Sequence, residues 1–115
     1  MDWREGELEE GLRLYRARQF FAAHEAWETA WLCAPEPEKT FLQALIQVTA
    51  AFHHLQRGNL LGTRRLLEAA LRRLAPYPEY FGGLLPAALR DEIRERLCRL
   101  DSGEQEFEPV SIEPL

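Results

Sequence analysis

The side chains best equipped for chemistry stand in one short run, His24-Glu25-Ala26-Trp27-Glu28-Thr29-Ala30-Trp31. On a helix, positions at i, i+3, i+4 and i+7 share a face. His24, Trp27, Glu28 and Trp31 are therefore expected to point the same way, with Phe20 one turn earlier. Glu25 falls about 100° away and faces solvent. An imidazole beside a carboxylate can work as an acid/base pair or ligate a divalent metal. Set into an aromatic stripe, both are costly to bury without partners, and that cost marks a candidate site.

A second polar stripe follows on the next helical segment. Gln43, Gln47 and His54 share one narrow face, and His53 points about 100° away from it. Side-by-side packing of the two segments would let His24 and Glu28 meet Gln47 and His54. Three readings are open: a buried hydrogen-bonded network that fixes helix register, a small pocket with polar anchors and Trp walls, or a catalytic or metal site. His24, Glu28 and His54 are the right ligand types for zinc, iron or manganese, so a divalent metal is the cofactor these residues would accept; none is predicted. The run lacks the second His of HExxH, and paired Glu-x-x-His motifs are absent. There is no Gly-rich phosphate loop, Walker lysine or Ser/His/Asp signature. Trp27 and Trp31 read as core residues whose ring N–H groups seek acceptors, with Glu28 or Gln47 in reach.

Three segments together resemble a family of small bacterial and archaeal proteins, the domain-of-unknown-function family numbered 309. They are Phe21-x-x-His24-Glu25-x-x-Glu28-x-x-Trp31, Gln43-Ala-Leu-Ile-Gln47, and His54-Leu-Gln-Arg-Gly58-Asn59-x-x-Gly62. The family commonly has Gly where this chain has Gln43 or Ala44. The resemblance covers roughly residues 8–75. It implies an all-helical domain with His24, Glu28, Trp31, Gln47, His54 and Asn59 at characteristic positions, and it implies no reaction.

Five helices are needed to hold these residues. The first is expected from about Asp2 to Ala17, with Leu8, Leu12 and Tyr15 inward and acidic residues near its start, as the dipole prefers. The second, about Gln19 to Cys33, ends before Pro35 and Pro37. The third, about Glu38 to Arg57, has apolar residues on two sides (Phe41, Leu45, Val48 and Phe52; Leu42, Ile46 and Ala50) and reads as central. Gly58 ends it and Asn59 caps the fourth, about Leu60 to Leu74. Pro76, Pro78, Gly82 and Gly83 make an aromatic loop with Tyr77, Tyr80 and Phe81. The fifth runs from about Pro86 to Leu100.

Residues 18–31 echo 58–71 at an offset of 40: Phe20 matches Leu60, Trp27 Leu67, Glu28 Glu68 and Trp31 Leu71, while His24 meets Arg64. The pattern is similar to tetratricopeptide hairpins, with a period longer than their ~34 residues. The expected fold is therefore all-α: two antiparallel helical hairpins and a closing helix, in one domain over 1–101. An acidic tail, 102–115, is expected to be extended or disordered, and its removal to leave the body folded.

Composition bounds the rest. The 115 residues carry a net charge of −5 and 46% hydrophobic residues, which suits a globular core. Five acids and no bases lie in 101–115; without them the body holds fourteen of each sign. That balance argues against nucleic-acid binding, although Arg57, Arg64, Arg65, Arg72 and Arg73 form one basic cluster. The longest uncharged stretch, Thr40 to Gln56, holds too many polar groups for a membrane span. No secretory leader is legible, so a cytoplasmic protein is expected. Cys33 and Cys98 form no CxxC pair and are expected as free thiols, one packed against apolar neighbours. Trp3, Tyr77, Tyr80 and Phe81 suggest an exposed aromatic patch able to support a homo-oligomer.

Overall fold

Apolar residues spaced at helical period build five helices: α1 (Gly6–Arg16), α2 (Phe20–Cys33), α3 (Glu38–Gln56), α4 (Leu60–Leu74) and α5 (Pro86–Asp101). The structure is a computed structural model describing residues 1–115. It is all-α, and its only extended pairing is an isolated bridge between Phe81 and Leu84. α3 packs on α2 and α4, α1 on α2, and α5 on α4. α3 is the central helix, with nine buried residues.

The 40-residue echo extends to the backbone. α1 closes through Arg18 at φ 61°, and α3 closes through Gly58 at φ 75°. Both turns carry the same pair of bonds: Arg18 N–H to Tyr15 O and Gln19 N–H to Leu14 O in one, Gly58 N–H to Leu55 O and Asn59 N–H to His54 O in the other. This is the two-bond C-cap that a left-handed residue allows. The residues that open α2 and α4 also match, Gln19 at φ −93°, ψ 71° and Asn59 at φ −87°, ψ 82°. Such short reversals make α1–α2 and α3–α4 antiparallel hairpins. Gln56 ties the two turns together by donating its side-chain N–H to Arg18 O at 3.0 Å.

Four expectations are corrected. α1 begins at Gly6 rather than Asp2, because the Asp2 carboxylate accepts the Arg4 N–H and Gly6 sits at φ 65°; both are turn conformations, not helical ones. Trp3 is therefore free to fold back into the core, with its ring N–H donated to Gly82 O at 2.7 Å, and of the expected aromatic patch only Tyr80 is strongly exposed. Cys33 and Cys98 are both free and exposed, so neither is packed. Residues after Ser102 have no regular secondary structure, yet Val110 and Ile112 are each only 1% exposed. Tyr15 donates its hydroxyl to Val110 O at 2.5 Å, and Leu115 N–H bonds Gly83 O at 2.8 Å. The tail thus supplies core residues, which reverses the expectation that it could be removed freely.

Candidate functional site

The buried face of α2 is centred on Phe20, Ala23 and Trp27. Trp27 is wholly buried because α1 gives it room: a Cβ at Gly11 would lie 2.2 Å from its ring nitrogen. Its N–H goes to Leu8 O at 3.2 Å, not to Glu28 or Gln47. This rotation moves His24 from the middle of the stripe to its flank and leaves Glu28 largely in solvent. Side-chain exposures are 26% and 52%, and His24 Nε2 lies 3.2 Å from Glu28 Oε1.

Contacts fix the α2–α3 register. Phe20 meets Phe52 with ring centroids 6.0 Å apart. At the far end, Lys39 Nζ lies 4.2 Å over the Trp31 ring. An antiparallel pair with those two anchors sets His24 opposite Gln47. No hydrogen bond joins them: His24 Nδ1, Gln47 Oε1 and the Trp31 ring N–H are all withdrawn from solvent without partners. Three of the four such side-chain atoms in the chain thus belong to candidate residues. The polar groups lie along one seam without closing into a network.

His54 and Asn59 form a separate unit at the α3–α4 turn. Asn59 Oδ1 caps α4 by accepting the Gly62 N–H at 3.0 Å, which turns its Nδ2 toward His54 Nδ1 at 3.1 Å. That orientation makes Asn59 the donor and assigns the neutral His54 proton to Nε2. Glycine at 62 leaves room for this cap, since a Cβ there would lie 2.7 Å from Asn59 Nδ2. No three His, Cys, Asp or Glu side chains stand close enough to share a metal ion, so His24, Glu28 and His54 are not assembled as a ligand set.

Two residues outside the predicted cluster connect its halves. Phe21 stacks on His24 at 6.1 Å and lies 5.5 Å from His53, which lies 6.0 Å from His54. Burial pushes the His53 pKa below its ordinary value, and the charges of Arg57, His54 and His24 add to this. Phe21 was legible as the first residue of the α2 motif. His53 stands one helical step off the Gln47–His54 stripe, and that step turns it toward Phe21. Phe21 is 56% exposed, and Leu32, further along α2, is 68% exposed. The principal clefts of the molecule are lined by other residues.

A small all-helical domain of two matched hairpins, a closing helix and a polar seam between α2 and α3 is the class that these features define. The chain belongs to the domain of unknown function family DUF309, whose model matches residues 8–66. The match spans both hairpin turns and the whole seam. No curated protein matches the chain. No helix is long and apolar enough to cross a membrane.

Proposed function

We propose that this domain is a non-enzymatic protein-interaction module that recognises its partner through the outer face of α2. The observation that carries the reading is the exposure of two large apolar side chains, Phe21 and Leu32, on that face. Phe21, Glu25, Glu28 and Leu32 recur at i, i+4, i+7 and i+11, one stripe of a helix. Glu25 and Glu28 are exposed between the two apolar ends. A shallow face with an aromatic anchor suits a protein surface better than a small substrate. The matching partner is an amphipathic basic helix, with apolar groups against Phe21 and Leu32 and cations against the two carboxylates. His24 and His53 flank Phe21 and limit its freedom, which lowers the ordering cost of binding.

The test is site-specific photocrosslinking in the cells that make the protein. A benzophenone amino acid replaces Phe21 in one variant and exposed Arg94 of α5 in another. The expected result is a discrete adduct from position 21 that is absent from position 94 and lost when Leu32→Glu is added. Identical adduct patterns at both positions would remove the α2 face as the recognition surface.

A further inference from the structure

A second site lies away from the α2–α3 seam, where the start of α3, the end of α4 and the 75–81 loop meet. A cleft of about 490 Å³ is lined there by Pro37, Thr40, Pro76, Tyr77, Pro78 and Phe81, with Glu36 on its rim. A neighbouring recess of about 400 Å³ shares Thr40 and Pro76 and adds Arg72 and Arg73. The two form one trough, aromatic at one end and cationic at the other. We propose that it binds a small monoanion carrying a flat apolar ring, with the charge on Arg72 and Arg73 and the ring against Tyr77 and Phe81.

The aromatic end is preformed. Tyr77 and Phe81 lie 4.8 Å apart and both rest on fully buried Phe41, at 5.1 and 5.0 Å. Tyr77 donates its hydroxyl to Pro37 O at 2.6 Å. Arg90 reaches across from α5 to Leu74 O at 2.8 Å and holds the start of the loop. Three prolines with fixed φ complete the walls. A rigid aromatic floor accepts a flat ring with little loss of side-chain freedom.

The cationic end lacks a counter-charge. Many arginines elsewhere are matched, Arg64 with Asp101, Arg96 with Glu92 and Glu95, Arg99 with Glu95 and Glu104, whereas Arg57 and Arg65 are unpaired but line neither recess of the trough. No ion pair in the chain uses Arg72 or Arg73. The Arg73 Nε is withdrawn from solvent without an acceptor. The terminal guanidinium nitrogens of Arg73 and of exposed Arg72 are not withdrawn in this way and have no partner, so they are the donors a carboxylate would meet. Two groups oppose an anion and define its shape. The α4 C-terminus presents the negative end of its dipole near Arg72 and Arg73. Glu36 stands at the aromatic end, where its carboxylate accepts the Thr40 N–H at 2.8 Å and the Thr40 hydroxyl at 2.7 Å. A ligand with a second negative charge on its ring would meet Glu36, so the trough selects one charge at one end.

The experiment is a ¹H–¹⁵N NMR titration of the full chain with 1-naphthoate, with 1-naphthylmethanol as the uncharged ring and acetate as the ringless charge. The expected result is saturable shifts at Thr40, Arg73, Tyr77 and Phe81 with naphthoate, and binding at least about tenfold weaker for each control. Arg72→Gln, at an exposed position, is expected to keep the melting temperature and weaken naphthoate binding several-fold. Arg73→Gln is expected to weaken it further, with its melting temperature measured alongside. Equal affinity for naphthoate and naphthylmethanol would overturn the proposal. So would unchanged binding in folded Arg72→Gln, shifts centred on another surface, or no saturation up to about 10 mM.

Discussion

Gly11 on α1 and Trp27 on α2 occupy a single packing position: a Cβ on residue 11 would come within 2.2 Å of the indole nitrogen. The matched positions 40 residues on are Ala51 and Leu67, both fully buried, and there Ala51 O accepts the Thr63 hydroxyl at 3.2 Å. The second copy carries a methyl group at Ala51 where the first has Gly11, and Leu67 where the first has Trp27. Gly11→Ala is expected to destabilise the fold by about 1–3 kcal/mol, since overpacking a buried ring outweighs the better helix propensity of Ala. Urea unfolding checks it. An unchanged midpoint would mean that α1 can shift outward without loss.

Asn59 and Gly62 are expected to behave as one unit. Asn59→Ala removes the α4 cap and should cost about 1 kcal/mol. Gly62→Ala displaces the Asn59 side chain at a similar cost, which a gain of about 1 kcal/mol in helix propensity largely offsets. The double variant should then be less destabilised than the two single effects combined, because the second change removes an interaction already lost. The ¹⁵N shifts of the His54 ring give an independent readout. They should report the Nε2–H form in the parent chain and a mixture of tautomers in either variant.

Much of this architecture was legible because helices write themselves into sequence with a regular period. Phe41, Leu45, Val48 and Phe52 are all buried as spaced. Asn59 is the cap, with its side chain on the Gly62 N–H. The seam was legible as a set of residues and not as a geometry. The spacing sets His24 mid-stripe and Glu28 at its edge, because a helical wheel cannot say which part of an aromatic arc about a third of the circle wide faces inward. Tertiary contacts decide that, here the Gly11 notch that draws in Trp27. The expected meeting of His54 with His24 fails because the register sets His24 opposite Gln47, about two turns from His54, whose ring meets Asn59 instead. The tail was illegible for a different reason. Its two core residues, Val110 and Ile112, form an alternation too short to register among acidic neighbours, and nothing local identifies α1 and α5 as its supports.

Removal of residues 109–115 is expected to unfold or severely weaken the domain. Burying a Val or Ile side chain stabilises by about 1.5–3 kcal/mol, so losing both costs at least about 3 kcal/mol. That is a large share of the ~5–15 kcal/mol typical of a small domain. Truncation also strips the Tyr15 hydroxyl of its acceptor, Val110 O, and Arg96 of its bond to Pro109 O at 3.1 Å. Circular dichroism melts of the truncated and full chains check this; equal melting temperatures would show that the tail contributes nothing to the core.

The acid sensitivity of the fold should depend on His53. In the unfolded chain it titrates near the ordinary value of 6.5, whereas in the folded chain its pKa is lowered, first by burial and then by Arg57, His54 and His24. Below that ordinary value the unfolded state therefore binds more protons than the folded one. The stability associated with neutral His53 is complete above pH 6.5 and is lost as pH falls through the folded value. His53→Gln should make the loss of stability between about pH 7.5 and about pH 5 shallower. Arg57→Ala should do the same to a smaller degree, because burial outranks its charge among the causes. Urea midpoints across that range, for the parent chain and both variants, separate the contributions. Parallel pH profiles for His53→Gln and the parent would mean that His53 reaches solvent freely enough to protonate in place, and that the contact with Phe21 does not confine it.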